Sequence, residues 1–77
     1  MANKLAQEIE KVLATAVGDF IATATVKKNC ELIGCTPDTI TVSQLPELAE
    51  KISKSVSFFS GEDTGTELAG RIRALRA

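Results

Sequence analysis

The chain has 77 residues, of which 44% are apolar, and it contains three phenylalanines but no tryptophan, tyrosine or histidine. Two cores in so short a chain would hold roughly 40 residues each, too few without metals or disulfides, so 1–77 is expected to be a single domain. Nine basic residues against ten acidic ones give a net charge of −1, which excludes both a broad nucleic-acid-binding field and an acidic solvating tail.

The first segment reads as a helix over 3–17. Leu5, Ile9, Val12, Leu13, Ala16 and Phe20 recur at helical spacing, Lys4, Glu8 and Lys11 fill the other face, and Asn3 is placed to cap the start. Beyond Gly18-Asp19 the apolar row moves to Ala22, Val26, Cys30 and Ile33, about 100° around the cylinder from the first. A straight helix would then be apolar on two faces, so a second helix is expected over 19–33. The competing reading is one kinked helix. Gly34 suits a closing left-handed turn.

A one-turn helix is expected over 36–40, with Thr36 as N-cap and Pro37 in its first position. The next helix, 43–59, has two candidate starts. Thr41 to Gln44 has capping-box spacing, and Ser43 is the alternative N-cap with Pro46 in the first turn. Leu45, Leu48, Ala49, Ile52, Val56 and Phe59 form its apolar stripe. Ser60 to Asp63 repeats the capping-box spacing and opens a last helix over 62–75, with Leu68, Ala69, Ile72 and Leu75 inside. Acidic residues lead that helix and Arg71, Arg73 and Arg76 end it, which complements its dipole. Gly65 and Gly70 weaken it and are read as marks of close helix packing. The expected fold is therefore all-α, a bundle of about four helices.

Chemistry has little raw material here. Without histidine, general acid–base work near neutrality would fall to carboxylates or lysines, and these sit at caps and on polar faces. Cys30 lies on an apolar row and reads as a small buried hydrophobe. Cys35, beside a helix start, is the only candidate for a lowered thiol pKa. Two cysteines make neither a disulfide framework nor a zinc set. No catalytic residue, cofactor or metal is expected. Charges interrupt the first 15 residues, and no uncharged apolar run reaches about 18, so neither a signal peptide nor a membrane span is expected, and the cytoplasm is the default.

Two roles are left. The first is a small non-catalytic interaction module that self-associates or docks on another protein. Phe58 departs from the α-helical stripe that Phe59 continues, so its candidate surface is Phe58 with Arg71, Arg73 and Arg76. The alternative is a DNA-binding helix-turn-helix with helices around 22–33 and 37–45. Cys30, Gly34 and Ile40 fit its spacing, and Lys27 and Lys28 would touch phosphate. Its would-be recognition helix, however, holds Asp38 and no basic residue.

Overall fold

Asn3 starts the first helix as its side chain suggests: its Oδ1 accepts the Ala6 N–H at 2.9 Å. The computed structural model describes residues 3–75. Among them are helix α1 (Lys4–Leu32), one turn of 3-10 helix (Val42–Gln44), α2 (Leu45–Ser60) and α3 (Glu62–Arg73). The described chain is all-helical, with no strand. The count is three helices rather than four, because segments 3–17 and 19–33 are two limbs of one kinked element.

Gly18 is the kink, at φ 83 and ψ 164. That region of backbone space is essentially closed to any residue with a Cβ. A straight helix of 29 residues would run about 43 Å, but the molecule's longest extent is 29 Å. The limbs fold back instead. Thr23 Oγ1 donates to Glu10 Oε1 at 3.2 Å, a pair that a straight helix would hold about 20 Å apart. The reversal turns both apolar rows inward: Leu5, Ile9, Val12 and Leu13 from one limb, Ala22, Val26 and Cys30 from the other.

Gly34 closes α1 as expected, at φ 82. Its N–H donates to Glu31 O at 3.2 Å and the Cys35 N–H to Cys30 O at 2.9 Å, the two bonds of a Schellman motif. The expected one-turn helix at 36–40 is present only as a single turn that propagates no further. Residues 37–39 make a turn, with the Thr39 and Ile40 N–H groups on Thr36 O at 3.0 and 3.1 Å. The reason lies at the far end of the chain. The Asn3 N–H takes Pro37 O at 2.8 Å, and Asn3 Nδ2 donates to Asp38 O at 3.2 Å and Ile40 O at 2.9 Å. Carbonyls that a continuing helix would need are turned toward Asn3. No helix spans 37–45, so the helix-turn-helix alternative lacks its second helix.

Thr41, not Ser43, opens the next segment. Its N–H donates to Gln44 Oε1 at 3.0 Å, and Pro46 sits harmlessly in the first turn of α2. Leu45, Leu48, Ala49, Ile52 and Val56 are buried against Leu68, Ala69 and Ile72 of α3 and the inward rows of α1. Each full burial of a leucine or isoleucine contributes about 1.5–3 kcal/mol. The expected Ser60 cap is absent. Ser60 ends α2, and Gly61 alone makes the joint to α3, at φ 92 and ψ 160, with no side-chain cap. Gly65 marks close packing, since an added Cβ would lie 2.5 Å from Ser57 Oγ and 2.8 Å from Ser53 O. Gly70 does not: it is exposed, with no atom within 4 Å of such a Cβ.

Candidate functional site

The core is built from aliphatic side chains and two thiols, and all three phenylalanines are left outside it. Phe58 is 90% exposed, Phe20 85% and Phe59 74%. The exposure of Phe20 corrects its expected place on the first apolar row. Gly18 resets the register, and on the second limb Phe20 lies about 160° around from Ala22, which is buried. Ala16, on the same expected row, is exposed as well. Phe59 is a second correction. It keeps the direction of the α2 stripe but stands in the last turn of the helix, where it is left mostly exposed.

Phe59 instead forms one wall of an open groove of about 250 Å³ between α2 and the second limb of α1, with Ile21, Ala24, Thr25, Lys28 and Ser55. Asn29 closes its floor. It is the one buried polar side chain among the described residues. Its Nδ2 donates to Thr25 O at 2.8 Å, and its Oδ1 accepts from Ser55 Oγ at 3.5 Å. Sequence reasoning passes over Asn29. The available signal is its place beside the Val26 and Cys30 row.

Phe58, 100° around the helix from Phe59, faces a different and larger groove of about 530 Å³ between α2 and α3. Ser53, Lys54, Ser57, Glu62 and Thr66 line the rest of it. The Gly61 joint brings Glu62 alongside the last turn of α2. Lys54 also meets Glu50 at 3.8 Å, but both are well exposed and such a pair contributes little.

The other sequence candidates are dispersed. Arg71 and Arg73 are exposed on the last turn of α3, about 13 and 16 Å along its axis from Glu62, so they form no single patch with Phe58. Arg76 lies outside the described residues. Lys27 and Lys28 are both exposed, and only Lys28 borders a groove. A third groove, of about 270 Å³ at the Gly18 kink, is lined by polar and charged side chains: Gln7, Glu10, Lys11, Asp19 and Thr23.

The two cysteines are free and buried. They occupy the two Schellman positions that commonly share an apolar contact. Burial first, and then the hydrogen bond to Cys35, push the Cys30 thiol up to about 12. Cys30 is therefore a neutral, packed thiol near pH 7. Among the described residues no group of three or more cysteines, aspartates or glutamates is gathered closely enough to hold a metal ion. Among them, too, no helix is long and apolar enough to cross a membrane. Compared with protein-family models, curated proteins and solved structures, the chain matches no family model, no curated protein and no solved structure.

Proposed function

We propose that this chain is a small non-catalytic helical interaction module that works through its exposed phenylalanines. One observation carries the reading: every aromatic residue of the chain lies on the surface, while a core of aliphatic side chains and thiols closes without them. Folding alone drives such rings inward, each representing about 150–250 Å² of mostly apolar surface. Aromatic side chains held out in water beside grooves are typical anchors of protein interfaces. The free, buried thiols suit a reducing compartment, and the reading places the chain in the cytoplasm.

The test compares the native chain with the triple variant Phe20→Ala, Phe58→Ala, Phe59→Ala, each immobilised and exposed to cell extract. Proteins retained by the native chain and lost by a variant of unchanged helicity support the reading. Identical retention by both would refute it.

A further inference from the structure

We propose that Cys30 and Cys35 are a redox pair, which a small disulfide oxidant of the glutathione class joins into an intramolecular disulfide stapling the end of α1 to the loop after it. This stands apart from the phenylalanines and their grooves. The two residues occupy the ends of the Schellman turn, where the Cys35 N–H donates to Cys30 O at 2.9 Å. The fixed bond lengths on either side of that hydrogen bond put the two Cα atoms no more than about 6.8 Å apart. Disulfides span Cα separations of about 4.4–6.8 Å. The side chains meet as well, because the two thiols are hydrogen-bonded to each other. A continued helix would not bring them together, since residues five apart point about 140° away from each other. Gly34, at φ 82, turns the chain so that Cys35 returns to Cys30. Beyond Cys35 the loop is held by Asn3 through the carbonyls of Pro37, Asp38 and Ile40. A staple at Cys35 therefore reinforces the closure between the two ends of α1.

The chemistry balances as two exchanges. Cys30 is fully buried and Cys35 keeps 9% exposure, so Cys35 is the point of entry. Its thiolate attacks one sulfur of glutathione disulfide, forms a mixed disulfide and releases one glutathione thiolate. Cys30 then loses its proton to water, and its Sγ attacks Cys35 Sγ. The bond within the pair forms, the mixed bond breaks, and the second glutathione leaves. The two cysteines lose two electrons and two protons, and glutathione disulfide takes them up as two thiols. Burial, and then the hydrogen bond to Cys35, hold the Cys30 thiol up at about 12, which makes the second exchange the slow one. Contact offsets this by making the attack intramolecular. Excess glutathione runs both steps backward, so the free pair is the resting state under reducing conditions.

The experiment equilibrates the whole chain with mixtures of glutathione and glutathione disulfide, with and without denaturant, and reads acid-quenched samples by mass. The folded chain is expected to lose two hydrogens, stay monomeric and keep its helicity, and dithiothreitol is expected to reverse the change. The equilibrium constant for closure is expected to be at least about tenfold larger in the folded chain than in denaturant, because a bond that fits the fold stabilises it. The oxidised chain should accordingly unfold at higher denaturant. Cys30→Ala is expected to stop at the mixed disulfide, carrying one glutathione, and Cys35→Ala to remain unmodified over the time in which the native chain closes. The native chain alone decides the pairing. A folded chain that stays reduced, accumulates the mixed disulfide or cross-links to a second copy overturns the redox pair. A closure constant no larger in the folded chain than in denaturant overturns the staple, because the fold would then strain the bond. Modification of Cys35→Ala as fast as Cys30→Ala overturns Cys35 as the point of entry.

Discussion

Gly18 and Gly61 turn the chain with nearly the same backbone, φ 83 and ψ 164 at one and φ 92 and ψ 160 at the other. Both are exposed, and a Cβ added at either would meet no atom within 4 Å. The requirement for glycine is therefore conformational at both corners, not spatial. The corners differ in how the chain packs beyond them. After Gly61, α3 lies so close on α2 that Gly65 leaves no room for a side chain. After Gly18, an exposed hydrogen bond from Thr23 to Glu10 ties the two limbs. One corner is locked by backbone approach, and the other is held chiefly by the rows its limbs bury.

The largest expected effect tests that lock. Gly65→Leu must push α3 away from Ser53 and Ser57, and overpacking of this kind costs about 3 kcal/mol. Denaturant unfolding measures it, and a loss below about 1 kcal/mol would mean the two helices separate easily. Gly61→Ala comes next. The locked hairpin cannot relax its joint, so the strained dihedral is expected to cost about 2–3 kcal/mol.

Gly18→Ala sharpens the contrast, because here the chain has an escape. The two limbs can straighten into one long helix, so the loss is expected to be smaller, about 1–2 kcal/mol, and accompanied by a domain-swapped dimer. Size-exclusion chromatography reads the swap. An equal loss at both corners, with no swapped species, would erase the distinction. Thr23→Val removes the hydrogen bond between the limbs and is expected to cost about 0.5 kcal/mol or less, as for other exposed groups. The smallest effect is expected from the aromatics at the two corners. Phe20→Ala and Phe58→Ala should each leave stability within about 0.5 kcal/mol, measured in the dilute monomer. A larger loss at either position would place that ring in the core.

The candidate surface is only partly legible in the sequence. Phe58 stands out there because it departs from a clean stripe, and it is the most exposed of the three rings. Its neighbours in the groove, Lys54 and Glu62, read as a solvated face and a helix start, since nothing local relates α2 to α3 across Gly61. The chemistry of the arginines suggests grouping them with Phe58, and the length of α3 separates Arg71 and Arg73 from it. Asn3 is the clearest case of a residue half understood. Its capping role is local and follows from its position, while its bonds to Asp38 and Ile40 bridge the whole first half of the chain.

Local spacing by itself determined the all-helical class, the start at Asn3, the left-handed close at Gly34 and most of the inward row of each helix. These depend on interactions within about one helical turn, which the order of residues specifies directly. Only the tertiary structure decided that α1 doubles back at Gly18, that 36–40 stays a turn, and that Phe20 and Phe59 remain outside. Periodicity gives the direction in which a side chain points. Whether anything stands opposite depends on where the other helices end, and that is fixed by packing between segments far apart in the chain.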